Sequence, residues 1–145
     1  MKAQSFFRLT ICLLLFTAFT YQNSFAQKKV SFNTSTVVPG AEGTVKVKQD
    51  KNKNYSIEVD ILNLADPSKL TPAKKAYVVW VETTEKGAKN VGQITSSSSM
   101  FSKTKKGSIS TVSPYKPTRV FVSAEDDGGT ETPGDVIVLT TNTFK

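Results

Sequence analysis

Polar and apolar side chains alternate along Thr44-Val45-Lys46-Val47-Lys48, and again along Ser56-Ile57-Glu58-Val59-Asp60-Ile61. A period of two predicts strands with one face in a core and the other in water. The residues between them, QDKNKN (49–54), are polar turn formers. Pairing Val47 with Ile57 and Val45 with Val59 puts Lys46 opposite Glu58 and Thr44 opposite Asp60. One register therefore serves the apolar face and the charged face together, which predicts an antiparallel hairpin.

LADPSKLTPAKKA (64–76) follows. Asp66 before Pro67 fits an N-cap and first helical position, and Pro72 limits that helix to about one turn. AYVVWV (76–81) is apolar on both faces, which predicts a central strand with cover on each side. A charged turn containing Gly87 leads to a short strand over 90–95, then a loop or bulged edge over 96–99. Over 106–112 the apolar markers Ile109 and Val112 lie three apart, so both reach the core only through a bulge or an early end. Pro114 and Pro117 frame a connection around Tyr115. The last strands span 118–124 and 135–141, and residues 30–32 with 37–38 add an N-terminal edge strand.

About seven or eight short antiparallel strands with regular turn signals predict an all-β protein, an immunoglobulin-like β-sandwich. A closed barrel is the alternative, because strand order is not written in one sequence. In a sandwich, Trp80 on the third main strand resembles the core tryptophan of immunoglobulin-like domains, although any central strand can bury an aromatic, and both readings are structural.

Export enters the picture at the first residues. Lys2 and Arg8 flank the start of a short apolar run, ICLLLFTAF (11–19). Ser24-Phe25-Ala26 then puts small residues at −3 and −1 of a signal-peptidase site. Residues 1–26 read as a signal peptide and 27–145 as one β-sandwich domain. The apolar run falls short of the ~20 residues of a membrane span, which weighs against an uncleaved anchor and leaves no span after cleavage. Ile11 before Cys12 is too bulky for a lipobox. Cys12 is the only cysteine, so the exported part has none. A chain of that size buries about two-thirds of its surface without needing a disulfide. The expected destination is the periplasm or the cell exterior.

Charge narrows the choice of partner. The formal net charge is +7, and removing Lys2 and Arg8 leaves 17 basic against 12 acidic side chains, or +5. All of those bases but Arg119 are lysine. Nucleic-acid sites lean on arginine for bidentate contacts, so no nucleic acid is expected. Scattered lysine protects sheet edges and keeps the domain in solution, with a weak attraction to anionic envelope polymers as the other reading.

The chain has no histidine. This excludes Ser-His-Asp and Cys-His nucleophilic sites and removes imidazole and thiolate ligands for zinc, copper or iron. Phosphate-binding glycine motifs are missing as well. Ser102-Lys103-Thr104-Lys105 fits S-x-x-K, but it lies beside a strand and lacks the companion motifs of β-lactamase-like enzymes. The stretch VFVSAEDDGGTETPGDVIVL (120–139) is more suggestive. Glu125, Asp126, Asp127, Glu131 and Asp135 are oxygen-ligand candidates for calcium, without EF-hand spacing. Alternatively Asp127-Gly128-Gly129 turns a hairpin through glycine's access to positive φ, with the acids shielding apolar strands. No catalytic residue, cofactor or transition metal is expected. The function expected is an exported non-catalytic module that meets an envelope protein or polysaccharide. Calcium binding and a glycan-acting enzyme with two carboxylates about 5–10 Å apart are the alternatives.

AYVVWVETTEKGAKNVGQI (76–94) and VFVSAEDDGGTETPGDVIVL resemble the extracytoplasmic C-terminal domain of anti-sigma-K factors. The matching positions are Trp80, Gly92, Glu125, Gly128, Gly129 and Pro133. The resemblance covers roughly half of the exported part. It implies an immunoglobulin-like sandwich on the outer side of a bacterial cytoplasmic membrane. The cytoplasmic sigma-binding domain and the membrane helix of those factors have no counterpart here, so sigma-factor binding is not implied.

Overall fold

The computed structural model describes residues 26–97 and 105–144. Residues 1–25, where the signal peptide is expected, and Ser102, Lys103 and Thr104 of the S-x-x-K stretch lie outside the described residues. Nine strands are present among those described: β1 (Lys28–Ser31), β2 (Glu42–Gln49), β3 (Tyr55–Leu62), β4 (Ala76–Thr83), β5 (Gly87–Gln93), β6 (Thr95–Ser97), β7 (Lys106–Ser113), β8 (Pro117–Glu125) and β9 (Ile137–Thr140). They form two antiparallel sheets, β1-β2-β3-β7-β6 and β5-β4-β8-β9. With β1 set aside, that order is the immunoglobulin-like one. The strand count exceeds the expectation because the chain breaks after β5 and residues 95–97, the end of the expected 90–95 strand and the start of the expected loop or bulged edge, pair with β7 as β6.

The β2–β3 hairpin has the register that its side chains require. Val45 pairs with Val59, Val47 with Ile57, Lys46 with Glu58 and Thr44 with Asp60. Lys46 Nζ lies 3.1 Å from Glu58 and 3.6 Å from Asp60, and the Glu58 bond raises the lysine pKa above its ordinary value. Such half-exposed pairs fix register more than they add stability. In the turn, Asp50 Oδ1 accepts the N–H groups of Asn52 and Asn54, and Lys53 takes the positive φ. The expected single helical turn is a 3-10 turn over Pro67–Lys69, with Asp66 as its N-cap.

Strand β7 departs from the expectation. It pairs with β3 without a register break from Leu62–Lys106 to Tyr55–Ser113. Strict alternation then puts Ile109 against the core and Val112 outside, where it is 63% exposed. No bulge brings both inward, and a single exposed valine is ordinary on a sheet face.

The inter-sheet core joins Val45, Ile57, Val59 and Ile61 to Val79, Val81, Val120 and Val122, all essentially inaccessible to solvent. Trp80 is not among them, which corrects its expected place. Odd-numbered residues of β4 face the inner core, so Trp80 and Val78 point outward and join Phe121 in a second cluster. The Trp80 and Phe121 rings stack with centroids 6.2 Å apart and planes 12° apart. Arg119 lies over Phe121 at 5.5 Å and donates to Glu82 at 2.6 Å.

The long edge of the second sheet is tied back to the first. Phe32 bridges Thr141, and Asn33 N–H donates to Thr140 O at 2.8 Å. Phe144 N–H reaches Thr118 O at 2.7 Å, and Lys28 Nζ sits 5.8 Å above the Phe144 ring.

Ile57→Ala is expected to cost about 2–5 kcal/mol, the range for a cavity left in a close-packed core. Val112→Ala should stay within about 0.5 kcal/mol. Urea unfolding of both variants checks the assignment, and a comparable loss at Val112 would place that side chain inside.

Candidate functional site

Residues 126–136 join β8 to β9, and they form a cover for the sheet in place of a tight hairpin. Asn90 stands opposite Trp80 in the β4–β5 pair, and its Nδ2 donates to Gly128 O at 3.0 Å and Thr130 O at 2.8 Å. A second anchor is a relay of buried polar groups. Trp80 Nε1–H donates to Ser123 Oγ at 2.7 Å, Ser123 Oγ–H donates to Glu125 Oε1, and Gly134 N–H donates to the same oxygen at 2.8 Å. These bonds draw the loop across the outer face, where Trp80 is fully buried. An indole N–H and a carboxylate removed from water need such partners.

The Gly-Gly pair has a different task from the expected one. Among the described glycines, positive φ occurs at Gly87 and Gly92 and not at Gly128 or Gly129. Gly128 is buried against Gln93, and a Cβ there would overlap that side chain. Positive φ is therefore not what calls for glycine here, and a Cβ would require the end of the exposed Gln93 side chain to move aside. Asp127 Oδ1 accepts Gly129 N–H at 2.9 Å and shapes the tip.

The five acidic candidates do not converge. Glu125 is buried in the relay, Asp126 pairs with Lys74 at 2.7 Å, and Asp127 holds the loop tip. Glu131 and Asp135 are exposed. Among the described residues no three histidine, cysteine or acidic side chains gather as a metal site would require. The Asp126 bond raises the Lys74 pKa above its ordinary value, as expected of a lysine tied to a carboxylate.

A second locus comes from the end of the sandwich where β4 starts. A pocket of about 270 Å³ opens there, lined in part by Asp66, Lys75, Tyr77, Gln93, Lys105 and Lys106. Three lysines against one aspartate make the rim positive. Asp66 is itself engaged, accepting from Ser68 N–H at 3.0 Å and Ser68 Oγ–H at 2.7 Å. Those bonds hold its carboxyl below the ordinary aspartate value of 3.8, with Lys105 and Lys69 adding to the effect.

Tyr77 is the unusual member. It is 5% exposed, and among the described residues its Oη is the one buried side-chain polar atom with no hydrogen-bond partner. Burial, helped by the Asp66 charge, pushes its pKa up to about 12, so the hydroxyl stays a donor at any physiological pH. A larger groove of about 710 Å³ runs beside Phe32, Pro39 and Asp60. Its Asp60 already faces Lys46, and it contains no orphaned group.

Nothing in the local pattern marks Tyr77. Its strand reads as apolar cover, and the lack of a partner is a property of the packed fold. The positive rim had only a diffuse trace, the lysines of 74–75 and 105–106 being separated by thirty residues of chain.

No family model, curated protein or solved structure matches this chain.

Ser123→Ala leaves the Trp80 N–H and Glu125 each short of one bond, and a loss of about 1–3 kcal/mol is expected. Unfolding followed by the fluorescence of Trp80, the only tryptophan, measures it. A separate acid titration tests Asp66. Its folded pKa is depressed, so its contribution is present above the unfolded value near 3.8 and is lost as pH falls through the folded one. Asp66→Asn keeps an acceptor at the cap and should flatten that part of the stability profile between pH 4 and lower values. An unchanged profile would count against the cap.

Proposed function

We propose that this protein is an exported, non-catalytic immunoglobulin-like module that binds an envelope partner at the lysine-rimmed pocket above Tyr77. The partner is a protein or polysaccharide presenting a carboxylate or phosphate group. One observation carries this reading: a buried phenolic donor without a partner lies at a concave, positively rimmed end of the sandwich. A buried unpaired donor costs about 1–3 kcal/mol, a cost that an incoming acceptor relieves. Loops at the ends of such sandwiches are where these folds place their contacts.

Two further considerations support it. The acids most suited to chemistry already have structural work, with Glu125 in the relay, Asp66 at the 3-10 cap, Asp50 in the β2–β3 turn, and Glu82 on Arg119. The likeness of 76–94 and 120–139 to the outer domain of anti-sigma-K factors favours a sensing or docking role over turnover.

Tyr77→Phe distinguishes binding from architecture. Removing an unpartnered hydroxyl should leave stability unchanged or raise it by about 1 kcal/mol. The same change should weaken capture of the envelope partner roughly five- to tenfold. Replacing Lys75, Lys105 and Lys106 together by alanine should reduce capture further and weaken its salt dependence. Equal capture by wild type and the triple variant at physiological salt would overturn the assignment.

A further inference from the structure

We infer that Gln27 becomes the first residue of the exported protein and closes on itself to a pyroglutamyl lactam. The inference rests on the exported reading above, since it needs cleavage after Ala26. Glutamine is the residue that Ser24-Phe25-Ala26 hands to the new terminus. A terminal glutamine carries its nucleophile and its electrophile in one side chain. The neutral α-amine attacks Cδ of the side-chain amide, a C–N bond forms in a five-membered ring, and the Cδ–Nε2 bond breaks. Nε2 leaves as ammonia after taking up a proton, and nothing is oxidised or reduced. No co-reactant is consumed. An ordinary α-amine titrates at about 8, so a share of it is neutral around pH 7. Intramolecular attack has the high effective concentration of tethered groups.

The fold leaves this residue at liberty to react. Pairing with β2 begins at Lys28, opposite Val47, so the backbone is held from that residue onward and not before it. Gln27 is exposed, and among the described residues its side chain makes no hydrogen bond. Closing the ring therefore breaks no contact of the fold. A terminus one residue further into the chain would offer a lysine inside the ladder, which has no such reaction.

The product differs from the open terminus in charge and in susceptibility. The lactam removes one positive charge beside Lys28 and Lys29 on the outer strand of the five-stranded sheet. It also removes the free amine from which exopeptidases start. The short strand β1, otherwise the simplest part of the sheet to trim, is then protected at its open end.

The test is the mass of the N-terminal peptide from the full chain, exported and processed by a bacterial host and held at neutral pH. The expected peptide starts at residue 27, weighs less than the glutamine form by one ammonia (about 17 Da), and resists aminopeptidase. Gln27→Ala should be cleaved at the same bond, retain a free amine and be trimmed. A peptide that starts at Gln27 with its amine still free after prolonged incubation overturns the lactam and leaves export standing. A peptide that starts elsewhere overturns the cleavage reading and the lactam with it.

Discussion

Strands β4 and β8 are buried on both faces, so the fold must supply two covers for them. Val79, Val81, Val120 and Val122 look toward the five-stranded sheet, while Val78, Trp80 and Phe121 look the other way. A two-layer sandwich normally leaves the outer face of each sheet to water. Here the second cover is a loop, and a loop has no ladder with which to hold itself down. Its hold comes from Asn90 on one side and the Trp80–Ser123–Glu125 relay on the other. Polar groups buried with all their partners fix a loop in one arrangement, whereas apolar packing alone would let it slide.

That constraint explains why the most acidic stretch of the chain is not a ligand cage. Glu125 is needed as an acceptor for two donors, so it cannot also point outward with its neighbours. Asp126 is drawn to Lys74 and Asp127 to the loop's own backbone. Carboxylates that follow one another along a chain diverge unless a turn gathers them, and this loop is laid flat.

The legible part of the fold was the part governed by alternation. The β2–β3 register followed from two short runs because a slip by one residue would exchange the valines for Lys46 and Glu58. The central character of 76–81 followed from its being apolar at both parities. The Asp66-Pro67 cap was legible for its local chemistry. What alternation leaves open is which face of a doubly apolar strand looks inward, and so Trp80 was expected in the wrong layer. Ile109 and Val112 have opposite parity, so an inward Val112 needs a bulge or an early end, and the unbroken β3–β7 register supplies neither. Gly128 reads locally as a positive-φ turn residue, whereas its backbone takes no positive φ in the fold. The Tyr77 pocket was invisible as well. Its lining comes from segments far apart in sequence, and a missing hydrogen bond is an accident of three-dimensional fit.

The registers also fix a polarity. Lys28 pairs opposite Val47, near the 50–54 turn, and Phe144 is bonded to Thr118, so the two outermost described stretches meet at one pole. Lys106 and Ala76, which border the pocket, stand at the far ends of their strands, level with Leu62 and Glu125. Anything that tethers the domain by either extremity therefore holds it like a lamp on a stem, with the lysine-rimmed hollow turned away from the point of attachment.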